Sequence, residues 1–565
     1  MLILDIETNS KMDHIWFCGT KDTETGVKLY HTSTDTLQPL LDSASIVVGW
    51  NIISFDWVKL TDYWGIHLPL DKIRDGIIMS KAYDTKRTTG HNLASYGIQF
   101  NFPKGDFTDY DNGDCQENRD YCGRDLDLTE KAYDWLAINM EESGFDSDFL
   151  PMEYKVRNIL DIQERNGFRL DLPKATALYI RLAAERSEIE RKLHQVFPPI
   201  VTERWSDKTN KRLKDNVEVF NVGSRQQIAR RLKTLGCNFS KRTGKTDKGG
   251  GGNLIIDEGT LKPFAKTVPE AAMALSYLTI GKKASMVAGW LRYVDDDGRV
   301  HGRVDTLGAV TSRMTHSSPN VAQVDSAEDM RECWIVDEGY TLVGVDAEGL
   351  ELRCLAHYMQ DEEYTSLILS GDVHWFNALA AGIAKEGTLY DEGDPDLKKQ
   401  RNDAKTFIYA FLYGSGDKAL GAQLGKTAND GKKMKSELLE SLPKLADLRE
   451  KILRISRGGS LPAIDGRRLR VYKSHAALNV LLQGLGSIIM KRALCIAVDE
   501  MDRLNLDYRT VANVHDEIQS EVKNSQAKQA GEICCEAIVK AGEYYNLRIP
   551  MAGKAQLGIN WSQTH

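Results

Sequence analysis

The chain has 565 residues, which is too long for one ordinary hydrophobic core and predicts about two to four domains. Hydrophobic residues make up 42% and charged residues 27%, as in a soluble globular protein, and no apolar run reaches the ~18 residues that a membrane span needs. The net charge of −8 excludes a basic footprint spread over the whole chain, so an anionic partner must meet local clusters of basic residues.

The first predicted elements are two short strands, at residues 2–6 and 45–50, because both runs are apolar and rich in β-branched residues. Residues two apart on a strand face the same side, so Asp5 and Glu7 present two carboxylates together. Carboxylates this close repel each other unless a cation lies between them, and oxygen ligands suit Mg²⁺ or Mn²⁺. A solvated strand edge is the alternative interpretation.

Three further residues extend this acidic set. Asp56 follows the second strand, and Tyr121 and Asp125 lie four residues apart on one face of a predicted helix. With Asp5 and Glu7 they suit two-metal hydrolysis of a phosphodiester. The set resembles the proofreading exonucleases of the four-carboxylate (DEDD) type, in the Tyr-x-x-x-Asp variety, over about the first 140 residues. This resemblance implies a 3′→5′ exonuclease in which the four carboxylates bind metal and Tyr121 orients the attacking water.

The middle of the chain is predicted to be one long helical stretch followed by an irregular basic segment. Apolar residues recur at helical spacing over residues 154–195. Residues 198–253 are polar, contain three basic clusters at 204–214, 225–233 and 241–248, and end in four glycines that predict a flexible loop. The basic clusters are either a nucleic-acid contact or a solvated face.

Two segments of the last third place carboxylates at strand ends. Residues 341–346 form an apolar strand that ends in Asp346, followed by a turn and a helix at 350–357. Residues 508–522 read as a strand, a turn and a strand, with His515, Asp516 and Glu517 at the turn. Carboxylates at such a tip are costly without a positive partner, and Asp346 with Asp516 completes a two-metal site for phosphoryl transfer.

A helix at residues 395–413 lies between these segments. Asp394 supplies its cap, and Gly414 ends it. Arg401, Lys405 and Tyr409 stand four apart and form one stripe along the helix. Two cations one turn apart suit a triphosphate, and an aromatic ring one turn further suits a sugar or a base. An exposed basic stripe is the alternative.

These three segments resemble motifs A, B and C of the family A DNA polymerases, of the replicative type found in short-tailed bacteriophages. The resemblance implies an α/β multidomain chain, with an RNase H-like exonuclease domain at 1–140 and a right-hand polymerase domain at 141–565. In that hand the thumb would span about 150–300, the palm about 301–385 and 500–565, and the fingers about 386–499. Each active site would hold two Mg²⁺ ions, with Mn²⁺ as a substitute, and the substrates would be primer–template DNA and dNTPs.

The resemblance also implies a role for each of ten residues in contact with nucleotide or DNA. These are Arg401, Lys405 and His374 at the triphosphate, Glu351 as steric gate against a ribose 2′-hydroxyl, Tyr409 at the sugar, Tyr413 at the templating position, Arg313 at the primer minor groove, Asn479 and Gln483 on the template side, and His515 at the primer end. Without the resemblance, His374 is an ordinary surface histidine, and Asn479 and Gln483 are a polar helix face. In this family a tyrosine at the position of Tyr409 accompanies ready acceptance of dideoxynucleotides.

The sequence departs from the family pattern at three positions. The family usually has glycine where this chain has Ser312 and Ala410, and Glu348 adds a carboxylate near the expected metal site. Residues 220–227 resemble the tip of the thumb, but residues 198–219 are too few for the insert that recruits host thioredoxin in some phage relatives, which argues against a thioredoxin clamp.

The resemblance and the N-terminus suggest where the protein acts. The N-terminus has no basic segment before its apolar residues, so we expect no signal peptide, no membrane partner, and action in the cytoplasm of the host cell. The resemblance allows a phage helicase–primase and a single-stranded DNA-binding protein as partners. Three alternatives remain open: an exonuclease whose C-terminal half only binds DNA, a single-subunit RNA polymerase, and a non-enzymatic DNA-binding module.

Overall fold

The computed structural model describes residues 1–244 and 252–564. The predicted four-glycine loop therefore lies mostly outside the described residues, with only Gly252 inside them. Two lysines of the third basic cluster, Lys245 and Lys248, also lie outside them.

The N-terminal part is a mixed sheet covered by helices. Its elements are β1 (Leu2–Thr8), β2 (Ile15–Asp22), β3 (Lys28–His31), α1 (Thr34–Ser43), β4 (Val47–Gly49), α2 (Asp56–Trp64), β5 (Ile73–Asp75), α3 (Gly76–Tyr83), α4 (Leu93–Gln99) and α5 (Gln116–Glu142). The strand order is β3-β2-β1-β4-β5, in which β1 runs antiparallel to β2 and parallel to β4. Both predicted strands are thus confirmed as neighbours in one sheet.

The alternation along β1 decides which way its carboxylates face. Leu4 and Ile6 pack into the larger core on one side of the sheet. Ile3 packs on the other side, against Cys122 and Leu126 of α5. Because side chains alternate along a strand, Asp5 and Glu7 share the face of Ile3 and are directed toward α5.

The predicted helical stretch at 154–195 is wrong as a single element. The structure has α6 (Leu150–Asn166), the strand β6 (Phe168–Leu170) and α7 (Leu172–Val196). Gly167 separates them with φ of 62°, and a Cβ there would lie 2.7 Å from Cε1 of His301. Apolar periodicity cannot distinguish a short buried strand from a helical turn, and the glycine is the residue that breaks the helix.

The described part of the segment at 198–253 is also more ordered than predicted. It contains an antiparallel hairpin of β7 (Ile200–Trp205) and β8 (Arg212–Glu218), followed by α8 (Arg225–Lys233). The hairpin is exposed along almost its whole length, so no buried face produces the apolar alternation that predicts strands. Two helices then lead onward, α9 (Glu258–Ala265) and α10 (Pro269–Tyr293), and α10 packs along α7.

The C-terminal part of the chain consists of a four-stranded sheet and the elements around it. Its elements are β9 (Arg299–Val300), β10 (Arg303–Asp305), β11 (Thr315–Ser317), α11 (Glu328–Arg331), β12 (Trp334–Ile335), β13 (Tyr340–Ala347), α12 (Leu350–Met359), α13 (Glu362–Ser370), α14 (Val373–Ala380), α15 (Pro395–Leu412), α16 (Asp417–Gln423), α17 (Ala428–Ser441), α18 (Pro443–Ser456), β14 (Ser460–Pro462), β15 (Arg468–Arg470), α19 (Ala477–Arg503), β16 (Tyr508–Val514), β17 (Glu517–Lys523), α20 (Ala527–Tyr544) and β18 (Gly553–Gly558). The strand order is β16-β17-β13-β18, with all neighbours antiparallel. The strand and hairpin predicted to carry Asp346 and Asp516 are therefore three adjacent strands of one sheet, with β17 and β13 at its centre.

The long helix α19 forms the middle of the largest core. Among the described residues, the helical span Ser474–Arg503 is apolar and long enough by composition to cross a membrane, because it contains an apolar window of 18 residues with a mean hydropathy of 1.5. However, 83% of its apolar window is buried inside the protein. Its apolar character is therefore accounted for by packing against the surrounding helices, as in a core helix.

A cluster of four buried charges ties α19 to α6. Both carboxylate oxygens of Glu153 accept hydrogen bonds from Nζ of Lys491 at 2.8 Å. Arg467 lies 2.7 Å from Glu153 and 2.7 Å from Asp465, and all four side chains are 0–3% exposed. The two negative and two positive charges give the cluster no net charge, which reduces the free-energy cost of burying it.

Candidate active sites

The N-terminal carboxylates come together from three elements. Asp5 and Glu7 lie on β1, Asp56 is the first residue of α2, and Asp125 lies on α5. The backbone N–H of Ile6 donates to Oδ1 of Asp56 at 2.9 Å, which holds the start of α2 against the strand. Glu7, Asp56 and Asp125 are 2–6% exposed, so the solvated strand edge does not describe this cluster.

Burial and mutual repulsion shift the acidity of this cluster. Burial, together with Asp56 and Glu7, raises the pKa of Asp5 well above its usual range. Burial and then Asp125 raise the pKa of Glu7 to about 8, and burial raises the pKa of Asp56 to about 7. Carboxylates that resist ionisation together are stabilised by a cation, and an all-oxygen donor set fits Mg²⁺ or Mn²⁺.

A thiol lies beside the carboxylates. One carboxylate oxygen each from Asp5 and Glu7 and Sγ of Cys122 lie within 4.8 Å of one another. Burial, Asp5 and Glu7 raise the pKa of Cys122 well above its usual value. A thiol binds metal as the thiolate, so this raised pKa makes Cys122 a poorer metal ligand than the carboxylates beside it.

Sequence reasoning missed two residues of this site. Lys104 lies in the irregular segment before α5, and its Nζ is 2.7 Å from Oδ2 of Asp125 and 5.0 Å from the ring centroid of Tyr121. Asp75 is buried at the start of α3 and accepts backbone N–H groups from Asn51 at 3.3 Å and Ile53 at 3.2 Å, which shapes the loop before Asp56. Neither Lys104 nor Asp75 stands at a fixed sequence spacing from the carboxylates, because the contacts of both residues depend on the tertiary fold.

The backbone brings Asp346 and Asp516 side by side. Asp346 on β13 stands opposite Glu517 in the antiparallel register with β17. Asp516 immediately precedes that strand, and its carbonyl accepts the N–H of Ala347 at 3.1 Å. Burial, and then Glu351, raise the pKa of Asp516. Two carboxylates held by adjacent strands are a donor set that fits divalent metal ions.

Glu351 joins the predicted DNA contacts to this carboxylate pair. Its Oε1 accepts a hydrogen bond from Arg313 at 3.1 Å and another from the hydroxyl of Tyr413 at 3.2 Å. Ser312, just before Arg313, has φ of 57° in the left-handed region, which accounts for the glycine expected at this position. The carbonyl of Ser312 accepts from Oγ of Ser487 at 2.7 Å, so α19 holds this turn in place.

The stripe along α15 forms as predicted, with Asp394 accepting from the backbone N–H of Asp396 at 2.8 Å as the cap. Nε of Arg401 donates to Oδ2 of Asp372 at 2.6 Å, a partner that the sequence did not indicate. Lys405 is exposed. Asp372 also accepts the backbone N–H of His374 at 3.1 Å, so one carboxylate orients both the arginine and the histidine.

His374 is half-buried beside this stripe rather than an ordinary surface histidine. Its ring lies 6.4 Å from that of Tyr409, which lies 6.3 Å from that of Tyr413. Burial, followed by the charges of Arg401 and Lys405, lowers the pKa of His374 to about 4. The ring is therefore neutral at pH 7 and offers one N–H donor next to two cations.

The remaining predicted DNA contacts lie at the edges of this arrangement. Asn479 and Gln483 are half-buried and one turn apart on α19. Oδ1 of Asn479 is buried and has no hydrogen-bond partner among the described residues. His515 has φ of 59° at the turn before Asp516, and it lies near His316 of β11. Ala410 is buried in α15, where its small side chain is accommodated.

Comparisons with known proteins agree on one family. The sequence profile described as DNA polymerase family A matches residues 201–563. The DNA-directed DNA polymerases of Enterobacteria phage T3 and Escherichia phage T7 are each 28% identical to this chain, over the full length of both partners. The thermostable DNA polymerase I of Thermus filiformis is 27% identical over 73% of this chain and 47% of its own length.

The fold also matches a solved structure. The POL domain of Pol1 from M. smegmatis, in complex with DNA primer-template and dNTP, superposes with a TM-score of 0.80 at 18% identity. The match covers 100% of this chain and 96% of that chain. The predicted mixed α/β polymerase fold is confirmed at this level.

Proposed function

This chain belongs to DNA polymerase family A and is a DNA-directed DNA polymerase, and on that premise we propose that Asp346 and Asp516 bind its two catalytic Mg²⁺ ions. Family A polymerases generally depend on divalent metal. The observation that carries this assignment is the pairing of Asp346 with Glu517 and the hydrogen bond from Ala347 to the carbonyl of Asp516, which hold the backbones of the two aspartates side by side. The family match favours neither an RNA polymerase nor a C-terminal half that only binds DNA.

Residues around this pair orient the substrates. Arg401 and Lys405 bind the triphosphate of the incoming dNTP, and neutral His374 donates a hydrogen bond to it. Bound divalent metal supplies charge neutralisation as the primer 3′-hydroxyl attacks the α-phosphate and pyrophosphate leaves. Glu351 is the steric gate that excludes a ribose 2′-hydroxyl, and the support for this role is that hydrogen bonds from Arg313 and Tyr413 hold its carboxylate in place.

The surrounding elements form the three parts of a right hand. The thumb spans about 150–300, the palm about 301–385 and 500–565, and the fingers about 386–499. The support is that β13, β16 and β17 carry the carboxylates, while α15 carries the cations. Primer–template DNA lies between these parts, with Asn479 and Gln483 on the template side and His515 at the primer end. The phage relatives support action in the host cytoplasm. The partners proposed beyond DNA and dNTPs, a helicase–primase and a single-stranded DNA-binding protein, rest on the family resemblance alone.

The N-terminal carboxylate cluster is a second active site, a 3′→5′ exonuclease in an RNase H-like domain at 1–140. The four carboxylates would hold two Mg²⁺ or Mn²⁺ ions, which when bound would lower the pKa of a water and neutralise charge on the leaving oxygen. Tyr121 orients that water. Lys104 balances part of the negative charge through Asp125. The burial of four acidic groups in one cluster is the supporting observation.

One experiment tests both sites. A 5′-labelled primer on a DNA template is incubated with Mg²⁺, with or without dNTPs, and the wild type is compared with Asp516→Ala and Asp5→Ala. We expect Asp516→Ala to abolish extension and Asp5→Ala to abolish shortening, each without affecting the other activity. Asp296→Ala removes an exposed carboxylate between α10 and β9 that belongs to neither cluster, and it serves as the control. Extension that survives Asp516→Ala would contradict the metal assignment.

A further inference from the structure

Lys104 places a cation beside the N-terminal carboxylate cluster. It lies in the irregular segment between α4 and α5, and its Nζ is 2.7 Å from Oδ2 of Asp125 and 5.0 Å from the ring centroid of Tyr121. Its side chain is 33% exposed, whereas that of Asp125 is 3% exposed. Lys104 therefore reaches from the surface to the proposed exonuclease site, and part of its side chain stays open to solvent.

The segment around Lys104 is packed onto α5. Nε of Arg124 donates to the carbonyl of Pro103 at 2.5 Å. On the other side of Lys104, a Cβ on Gly105 would lie only 3.2 Å from Cδ2 of Tyr121. These contacts hold the backbone of the segment against the helix, so the lysine is positioned by its neighbours and differs from a freely moving surface lysine.

The two carboxylate oxygens of Asp125 have different surroundings. Oδ2 contacts Lys104, whereas Oδ1 is buried and has no hydrogen-bond partner in the part of the chain that the structure describes. A buried carboxylate oxygen without a partner is costly unless a cation binds it. Oδ1 therefore suits a divalent ion while Oδ2 keeps Lys104, and the lysine and the ion need not compete for one oxygen.

The charges of the site leave a role for a monovalent cation. Two divalent ions would neutralise the carboxylates of Asp5, Glu7, Asp56 and Asp125, and a phosphodiester adds one further negative charge. Burial raises the pKa of all four carboxylates, and the charge of Lys104 acts in the opposite direction on each of them. Its ammonium thus lies close enough to interact with the whole cluster, and it supplies the charge that balances the phosphodiester.

The ammonium also has hydrogen-bond donors for a phosphate. It carries three N–H groups, and one of them is sufficient for Oδ2 of Asp125. A lysine ammonium is a compact point charge that binds phosphate oxygens well. Because Tyr121 is proposed to orient the attacking water, a phosphate bound by Lys104 would lie next to that water.

We propose that Lys104 is a catalytic residue of the exonuclease, whose ammonium stays paired with Oδ2 of Asp125 and donates a hydrogen bond to a non-bridging oxygen of the scissile phosphate. The inference rests on the proposed exonuclease function. As the water oxygen bonds to phosphorus, the bond from phosphorus to the 3′-oxygen of the preceding nucleotide breaks. One proton of the water passes to that 3′-oxygen, the other stays on the phosphate, and the terminal nucleotide leaves as its 5′-monophosphate. Lys104 stabilises the negative charge of the non-bridging oxygens during this exchange.

The test measures hydrolysis of a 5′-labelled single-stranded oligonucleotide by an excess of full-length protein, with saturating Mg²⁺ and without dNTPs. We expect Lys104→Met to lower the single-turnover rate about a hundredfold or more, because one donor directed at charge in the transition state contributes about that much. The Kd for the oligonucleotide, measured by fluorescence anisotropy in EDTA, should change far less, since only one phosphate contact is lost.

Matched variants control for charge and folding. Lys104→Arg keeps the positive charge and should retain more of the rate than Lys104→Met. Lys28 forms an ion pair of the same length, 2.7 Å, with Asp127 on the same helix but outside the carboxylate cluster, and Lys28→Met should leave the rate intact. Retained primer extension with dNTPs shows that Lys104→Met is folded, and Lys104→Gln takes its place if it is not.

Two further measurements distinguish a phosphate contact from support of a metal ligand. Mn²⁺ binding, followed by electron paramagnetic resonance of the free ion, should be no weaker in Lys104→Met, because a positive charge beside the ligands is removed. The binding lost in Asp5→Ala identifies the share of the N-terminal site. Sulfur in place of a non-bridging oxygen should slow wild type more than Lys104→Met for one of the two stereoisomers, because the variant has already lost the hydrogen bond.

Each contrary outcome is distinct. An unchanged rate in Lys104→Met would overturn the proposal. Weaker Mn²⁺ binding in that variant, with the rate restored by excess Mn²⁺, would also overturn it and would make Lys104 a support of Asp125. Equal sulfur effects in both proteins for both stereoisomers would exclude the phosphate contact. If wild type does not shorten the oligonucleotide, or if Asp5→Ala shortens it as fast, the proposed exonuclease itself fails.

Discussion

Removing one charge from the buried cluster of Glu153, Asp465, Arg467 and Lys491 should be strongly destabilising. Lys491→Met keeps an apolar stem of similar length and deletes the cation that both oxygens of Glu153 contact at 2.8 Å. Two carboxylates then face one guanidinium in a site that is 0–3% exposed. Breaking a buried pair in this way costs about 3–5 kcal/mol, because one charge is left without compensation.

The same two helices provide a matched control. Lys155 on α6 pairs with Asp499 on α19, but these side chains are 30% and 64% exposed. Lys155→Met should cost no more than about 1 kcal/mol, since water screens an exposed pair. Urea unfolding followed by circular dichroism gives both values. Thermal midpoints should fall by about 2–4 °C per kcal/mol if the cooperative unit has about 150–250 residues.

A second variant isolates charge balance from packing. Glu153→Gln combined with Lys491→Met leaves Asp465 and Arg467 as a balanced pair and should recover part of the stability lost in Lys491→Met. The reasoning is refuted if Lys491→Met and Lys155→Met shift the midpoint equally. It is also refuted if the free energy of unfolding lost in the double variant exceeds the sum of the losses in Glu153→Gln and Lys491→Met.

Three further predictions concern the polymerase site. The pKa of His374 is about 4, against its usual 6.5, so the unfolded chain takes up this proton first as the pH falls. Stability should therefore be lost between about pH 6.5 and 4, and His374→Gln should flatten that part of a urea-midpoint profile, whereas an unaltered slope would contradict the shift. Tyr409→Phe should reduce ddTTP incorporation relative to dTTP by about tenfold or more. The Tyr409 hydroxyl, proposed to lie at the sugar of the incoming nucleotide, can donate a hydrogen bond to the triphosphate, and a hydrogen bond to a charged group is worth about 1.5–3 kcal/mol. Competition between the two nucleotides measures this, and equal ratios in both proteins would refute it. Glu351→Ala should raise rNTP use relative to dNTP in the same assay, because the carboxylate that occupies the 2′ position is gone, and an unchanged ratio would remove Glu351 from that role.

The residues predicted from sequence were those whose chemistry is set by local spacing. Asp5 and Glu7 two apart on a strand, and Arg401 and Lys405 four apart on a helix, occupy one face wherever the element forms. Asp372 and Lys104 were missed because each meets its partner only after distant segments pack. A single carboxylate or lysine in a loop carries no periodic signal of such a contact.

Fold prediction failed where a buried strand is short. Gly167 and β6 interrupt what the apolar pattern reads as one helix, because three buried strand residues satisfy helical periodicity equally well. The exposed β7–β8 hairpin was missed for the opposite reason, since neither face is apolar. By contrast, Ser312 was singled out as a departure from glycine, and its φ of 57° gives the physical basis for that preference.

The strand order of the C-terminal sheet has a consequence for synthesis of the protein. The strand carrying Asp346 is flanked on one side by β17 and on the other by β18, which ends at Gly558. The N-terminal sheet and its covering helix are complete by Glu142. At about 5–20 residues per second, a ribosome needs roughly 20–80 s to deliver the residues in between. In the last part of that interval, after Lys523 and before Gly558, the nascent chain carries a finished N-terminal unit and a sheet in which β13 still lacks one neighbour, and this open edge is where we expect chaperones to bind.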